Sequence, residues 1–301
     1  MIRGKKYISD LECENIFREI GPVYNANTPE NHPVVFTSDR DYMTAMSIFG
    51  ICARMYRNIR IFAFQLMSNH IHFVIGGNED VIHDFFDYYV SRLDKYFEGR
   101  VDFSEFKLKC FAINDLSYFR NAIVYNNRNG FVVNDHFTPF SYPWGSSGYF
   151  FMPMARRYSA LAGKAIGNTQ LRTLMHTRNC DALKDLKMVD GFVSPLEFCD
   201  IDTAESIFRD AKQYFYLISR KVEAYAEVAK SIGESLYFND NDLYLAALKL
   251  AQELYGTKDL KTLTVVQKME TARRLHYDYN AGDKQLQRIL KIGSDVLKAM
   301  F

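Results

Sequence analysis

The chain has 301 residues, of which 48% are hydrophobic and 24% charged, and its net charge at pH 7 is +1. This composition is typical of a folded protein with one large domain or two ordinary ones. The near-zero net charge is no evidence for or against a nucleic-acid partner, because a basic patch can occur within a neutral total. No run of 18 apolar residues occurs, so the sequence excludes a transmembrane helix.

Two further features indicate a cytoplasmic protein. The N-terminal stretch MIRGKKYISD lacks the apolar core of a signal peptide. The cysteines are odd in number, scattered and without a CxxC motif, so we expect them to be reduced and structural. They are Cys13, Cys52, Cys110, Cys180 and Cys199.

The first half of the chain alternates strand and helix patterns. The predicted elements are a strand at 33–37, a helix at 38–58, strands at 59–67 and 70–75, a helix at 79–97, a strand at 105–113 and a helix at 114–130. Gly130 is predicted to end the last helix. The strand–helix–strand–strand–helix–strand portion is the split βαβ, or ferredoxin-like, pattern. We therefore predict an α+β fold with an antiparallel sheet and helices on one face.

Beyond residue 150 the pattern becomes mostly helical. The turn-rich stretch PWGSSGYFFMP at 143–153 predicts a boundary, which gives a domain at 1–150, a connecting segment at 151–202 and a helical region at 203–301. Thr264 and Gln267 have the spacing of a capping box, and two short helices are predicted around Gly293. Residues 264–301 are therefore compatible with a helix-turn-helix that reads DNA or with a small helical packing module.

Two histidines stand one residue apart in the apolar stretch LMSNHIHFVIGG, residues 66–77. A strand alternates its side chains between two faces, so His70 and His72 point the same way. Two polar rings on one face of a sheet need hydrogen bonds, water or a metal ion as partners. The pair is compatible with a divalent-ion site or with two structural histidines.

The predicted helix at 114–130 carries Tyr125 and, four residues later, Asn129, so the two side chains share a helix face. If this face packs against the histidine strand, a metal held by two imidazoles and an amide oxygen lies beside a phenol. A phenol is a poor nucleophile at its free pKa of about 10. A metal ion that polarises a phosphodiester makes the phosphorus easier to attack, so a weaker nucleophile is sufficient. The hypothesis is a nuclease with a covalent phosphotyrosine intermediate. The alternative is that Tyr125 is a core aromatic residue.

These stretches resemble the signatures of the HUH endonuclease superfamily. QLMSNHIHFVIGG is similar to LMPNHVHLL, in which two histidines flank a hydrophobic residue. YFRNAIVYNNRNGFV, followed by YPWGSS, is similar to the tyrosine signature of the REP-associated tyrosine transposases, which act on single-stranded DNA. The resemblance covers roughly residues 30–150. It departs from the family at Ser68, where a proline is usual, at NNRNG, which lacks the proline after the asparagine, and in the first strand, for which 23–36 is the only candidate.

The resemblance implies roles for four residues. His70, His72 and Asn129 would bind Mg²⁺ or Mn²⁺, and imidazole ligands favour Mn²⁺. Tyr125 would attack a phosphodiester, hold the 5′ phosphate covalently and release a 3′ hydroxyl. The resemblance also implies single-stranded or hairpin DNA as the partner, no membrane, and either a monomer or a homodimer.

Basic and aromatic side chains near these motifs are candidates for contacts with phosphates and unpaired bases. They are Arg54, Arg57, Arg60, Tyr142, Trp144, Arg156 and Arg157, with Lys298 in the last predicted helix. The alternative is that the charges are solvated and that the tryptophan belongs to the core. We expect His83 and His136 to be structural.

Two rival functions remain open. A DNA-binding protein could keep the fold without cleaving DNA, although such a protein would be expected to lose the histidines and the tyrosine. A metal-dependent phosphoesterase could instead use water as its nucleophile. The second rival predicts that Tyr125→Phe keeps activity, whereas a tyrosine nucleophile predicts the loss of cleavage.

Overall fold

A four-stranded antiparallel sheet forms the centre of the fold in the computed structural model, which describes residues 8–133, 137–138, 140–176, 183, 185–220, 238 and 240–301. The strands are β1 (Val23–Asn27), β2 (Arg60–Leu66), β3 (Ile71–Gly76) and β4 (Lys109–Ala112), in the order β2-β3-β1-β4. This order, with helices between β1 and β2 and between β3 and β4, is the ferredoxin-like arrangement. The predicted fold class is confirmed.

The first strand differs from its predicted position at 33–37. The strand is formed by 23–27, whereas 33–37 has no regular structure. The amides of Val35 and Phe36 both donate to the Ser68 carbonyl, at 2.8 and 2.9 Å, and both side chains are buried. Residues 33–37 are therefore apolar because they pack under the β2–β3 turn and not because they form a strand.

The two helices of the ferredoxin-like unit lie on one face of the sheet, as predicted, while further helices cover the other face. The helices of this part of the chain are α1 (Asp10–Ile20), α2 (Asp39–Met55), α3 (Glu79–Phe97) and α4 (Leu116–Val133). On one face Phe49 of α2 contacts Phe73 of β3 and Phe85 of α3, with ring centroids 5.5 and 5.2 Å apart. On the other face Phe119 of α4 packs on Phe62 at 5.3 Å. The sheet is thus buried on both sides, and its α4 side carries the predicted site.

Helix α4 continues through Gly130, so the prediction that Gly130 ends it is wrong. A Cβ atom at position 130 would lie 2.3 Å from Tyr142 Cγ and 2.4 Å from the Gln65 amide. Glycine is needed here for the close approach of α4 to β2 rather than for a helix stop.

The described residues form two compact units whose boundary differs from the predicted ones near residues 150 and 203. The first contains the described residues up to Gly130 and from Phe137 to Ser219, and the second contains the end of α4 from Phe131 and the described residues from 220 onward. The predicted connecting segment belongs to the first unit. The elements that follow α4 as far as residue 220 are a 3₁₀ turn (Ser147–Tyr149), α5 (Pro153–Ala162), β5 (Lys164–Ala165), α6 (Asn168–Met175), β6 (Lys187–Val189), β7 (Phe192–Val193), a 3₁₀ turn (Pro195–Glu197), α7 (Ile201–Ser206) and α8 (Ala211–Arg220).

The second unit is helical. It contains α9 (Asp240–Tyr255), a 3₁₀ turn (Leu260–Thr262), α10 (Val265–Tyr279), α11 (Asp283–Leu290) and α12 (Ser294–Met300). Thr264 and Gln267 form the predicted capping box, and α11 and α12 are the predicted short helices around Gly293. The helical pattern predicted from residue 203 onward is interrupted at 207–210, and residues 221–237 and 239 lie outside the described residues.

No described helix combines the length and the apolar character needed to cross a membrane. The described cysteines Cys13, Cys52, Cys110 and Cys199 are free thiols, and Cys180 lies outside the described residues.

Candidate active site

The two histidines lie together where the β2–β3 turn enters β3. The turn is closed by the Met67 amide, which donates to the His70 carbonyl at 2.9 Å. The ring centroids of His70 and His72 are 4.6 Å apart with an interplanar angle of 85°. The period of two in an extended chain therefore brings the two imidazoles into contact, as the sequence predicts.

Asn69 orients the His70 ring. His70 Nδ1 donates to Asn69 Oδ1 at 2.7 Å, while the Asn69 amide nitrogen donates to the carbonyls of Glu30 and His32. A neutral imidazole that donates from Nδ1 carries its lone pair on Nε2. A metal-binding histidine commonly has its second ring nitrogen held by an oxygen in this way. The sequence motif contains Asn69, but nothing in the sequence pattern assigns this role.

His72 is fully buried and sits in the middle of the sheet. Its neighbours in the adjacent strands are Gln65 of β2 and Asn27 of β1. Burial lowers the pKa of His72 from 6.5 to about 3, because a charged imidazole loses its hydration there. The ring is therefore neutral at physiological pH, which is the form that binds a metal ion.

The Tyr125 ring contacts His72 edge-on. Its ring centroid is 5.6 Å from that of His72, at an interplanar angle of 81°. Tyr125 and Asn129 are one turn apart on α4, so they share a helix face, and both are buried. The structure thus brings the predicted nucleophile to the predicted histidines within one chain.

A buried layer of amide side chains surrounds these residues, and sequence reasoning missed it. Asn126 Nδ2 donates to Asn25 Oδ1 of β1 at 3.1 Å. The Gln65 amide, oriented so that both of its ends are satisfied, donates to the Asn126 carbonyl at 2.6 Å and accepts from the Gly130 amide at 2.7 Å. These bonds fix α4 on the sheet. The alternation of Asn25 and Asn27 with Tyr24 and Ala26 is the sequence signal that could have revealed it.

Several predicted DNA contacts have protein partners. Arg54 pairs with Asp185, Arg60 with Asp200, and Arg156 with both Asp202 and Glu205. These pairs favour the alternative in which the arginines stabilise the fold. Arg57, Arg157 and Lys298 are exposed, and Arg54 and Arg57 line a surface cavity of about 600 Å³.

The aromatic candidates are packed within the protein. The Trp144 ring stacks on Tyr42 with centroids 5.0 Å apart and an interplanar angle of 14°. The Tyr142 hydroxyl donates to the Leu66 carbonyl at 2.7 Å. Both observations favour core roles for these two rings over stacking on bases.

A second group of metal-ligating side chains lies on the opposite face of the sheet. One ligand atom from each of Glu79, His83 and Cys110 lies within 4.8 Å of the other two, so the group could hold a metal ion. His83, which the sequence predicts to be structural, is one member of this group. His136 lies outside the described residues.

Comparison with known proteins leaves the fold and the site as the basis for a functional conclusion. No protein-family model, no curated protein and no solved structure matches this chain.

Proposed function

We propose that this protein is a metal-dependent endonuclease and strand transferase for single-stranded DNA, with Tyr125 as its nucleophile. The observation that carries the proposal is the 5.6 Å separation of the Tyr125 and His72 rings. Helix α4 and strand β3 are 53 positions apart in sequence between these two residues, yet the fold packs one on the other. Tyr125 contacts a fully buried histidine that itself contacts a second, half-buried one, and polar rings in such a place need hydrogen bonds, water or a metal ion as partners.

The residues present fit a divalent ion. His72 is neutral, His70 is held by Asn69 so that Nε2 carries its lone pair, and Asn129 shares the face of Tyr125. We infer that His70, His72 and Asn129 would bind Mg²⁺ or Mn²⁺, with tighter binding of Mn²⁺ because imidazole suits it better. The ion would supply positive charge that stabilises the phosphate oxygens during cleavage.

The proposed reaction exchanges one phosphate ester for another. The Tyr125 oxygen forms a bond to phosphorus while the bond to the 3′ oxygen of the preceding nucleotide breaks. The phenol loses its proton and the leaving oxygen gains one, so the products are a 5′ phosphotyrosine and a 3′ hydroxyl. A 3′ hydroxyl from another strand can reverse the step, which makes the enzyme a strand transferase.

Access to the site is the main requirement that the structure adds. Tyr125 is only 1% exposed, so a phosphodiester reaches its oxygen only after the surrounding chain has moved. This burial favours a second candidate, a DNA-binding protein that keeps the fold and no longer cleaves.

Because the histidines and Tyr125 belong to one chain, we propose that a monomer in the cytoplasm is sufficient for activity.

A covalent-adduct assay tests the proposal. The full chain is incubated with single-stranded hairpin DNA and Mn²⁺, and a denaturing gel detects protein–DNA adducts. We expect an adduct with the wild type and with the control Tyr118→Phe, which changes another tyrosine of α4, but none with Tyr125→Phe. Cleavage that persists in Tyr125→Phe would show that water is the nucleophile. DNA binding without cleavage in all three proteins would support the second candidate.

A further inference from the structure

The edge strand β4 and the first turns of α3 bring together three side chains that the proposed reaction does not use. Glu79 and His83 are separated by four residues on α3, so they project from the same face of the helix. Cys110 lies opposite Ala26 in the β1–β4 pairing. One oxygen, one nitrogen and one sulfur atom of these residues lie within 4.8 Å of one another.

We propose that Glu79, His83 and Cys110 bind a zinc ion at a second metal site. Zinc is bound in proteins by thiolate, imidazole and carboxylate ligands, and three protein ligands with water in the fourth position form a tetrahedral site. Its ligand atoms stand about 3.5 Å apart. The observed group, with its ligand atoms within 4.8 Å of one another, is more open than this, so metal binding would draw the three side chains together.

The donor set separates this site from the histidine pair under Tyr125. A thiolate is a soft ligand that selects zinc and related ions, whereas the histidine pair offers imidazoles and no sulfur. The two sites lie on opposite faces of the sheet, since Phe73, next to His72, faces α3, and Ala26 pairs with Phe73. The zinc site therefore stands independently of the proposed nuclease function.

Tyr24 lies on the same face of the sheet. It belongs to β1, two residues before Ala26, and so points to the same side as Cys110. The zinc ion would join the short edge strand β4 to helix α3.

Cobalt substitution tests the proposal with the metal alone and without DNA. The metal-free full chain is titrated with Co²⁺, whose bond to a thiolate gives a near-ultraviolet charge-transfer band, and Zn²⁺ is then added as a competitor. We expect one equivalent of Co²⁺ to produce the band and Zn²⁺ to displace it. Since the histidine pair contains no sulfur, a His72→Ala variant should keep the band.

Matched variants identify the ligands. Cys110→Ser should abolish the band, while Cys13→Ser should keep it, with circular dichroism confirming that both fold. Glu79→Gln, at an exposed position, should weaken Zn²⁺ binding at least about 10-fold. A wild type without the band, or a Cys110→Ser variant that retains it, would overturn the proposal.

Discussion

Asn69 Oδ1 accepts a hydrogen bond from His70 Nδ1 at 2.7 Å. The same asparagine is anchored through its amide nitrogen to the carbonyls of Glu30 and His32. The loop after β1 is thereby joined to the turn before β3, and the His70 ring is fixed in one tautomer. The orientation of a candidate ligand thus depends on a residue that does not itself bind the ion.

Replacing Asn69 should separate the two halves of this arrangement. Asn69→Ala removes both the acceptor for His70 and the donor to the two backbone carbonyls. We expect Mn²⁺ affinity at the histidine pair to fall about 10- to 100-fold as a result. Asn69→Asp keeps an acceptor for His70 but loses the donor to Glu30 and His32, so it should retain more of the affinity while unfolding at a lower temperature. Calorimetric titration and thermal unfolding measure the two effects. Equal Mn²⁺ affinity in the wild type and the two Asn69 variants would contradict the role of Asn69 in orienting His70. Asn58→Ala, at an exposed position, is the control.

The burial of His72 predicts a pH dependence of stability in the metal-free protein. Its pKa is about 3 when folded and about 6.5 when unfolded. The unfolded chain therefore binds more protons between these values, and stability is lost as the pH falls from 6.5 towards 3. Because of His72, the free energy of unfolding should decrease by about 2 kcal/mol as the pH falls from 7 to 5.

Urea denaturation in the presence of a chelator measures this difference. His72→Gln should reduce the loss between pH 7 and pH 5, and His176→Gln, which removes an exposed imidazole, should not. An unchanged pH dependence in His72→Gln would show that His72 does not remain neutral in the folded protein.

The features that sequence predicts correctly depend on local chemistry. Helix α2 begins where Ser38 and Asp41 form a capping box, and the 79–97 helix has the predicted limits because its apolar residues recur with helical spacing. The contact between His70 and His72 follows from the period of a strand. Each of these signals is contained within a few residues.

The features that sequence misses depend on distant partners. Residues 33–37 form no strand because the amides of Val35 and Phe36 both donate to the single carbonyl of Ser68. Gly130 lies within a helix rather than at its end. Glycine stands there because Gln65 and Tyr142 occupy the space that a side chain would need. Cys110 joins Glu79 only through the pairing of β4, which no local pattern specifies.

Arg156 and Arg157 should behave differently although both were predicted to contact DNA. Arg156 pairs with Asp202 and with Glu205, a carboxylate that is 3% exposed and also accepts from the Phe151 amide. Arg156→Ala removes the cation from this buried charge, so we expect about 2 to 3 kcal/mol of destabilisation. Arg157 is exposed, and Arg157→Ala should change stability by less than about 0.5 kcal/mol.

Two measurements on these variants distinguish structure from DNA binding. Chemical denaturation gives the stability, and fluorescence anisotropy with labelled single-stranded DNA gives the affinity. Weaker DNA binding by Arg157→Ala at unchanged stability would support a phosphate contact at that position. An Arg156→Ala protein as stable as the wild type would contradict the structural role of its ion pairs.

At Gly130, α4 approaches β2 too closely for a side chain. The Gln65 amide bonds to the Asn126 carbonyl and the Gly130 amide, the two groups that bond to each other in an uninterrupted helix. A methyl group at 130 would collide with Gln65 and Tyr142, so Gly130→Ala should cost about 1 to 3 kcal/mol despite the better helix propensity of alanine. Gly167→Ala, with open space around its Cβ, should cost less than about 1 kcal/mol. Urea denaturation compares the two, and a Gly130→Ala protein more stable than the wild type would show that this helix is not held against β2 as closely as described.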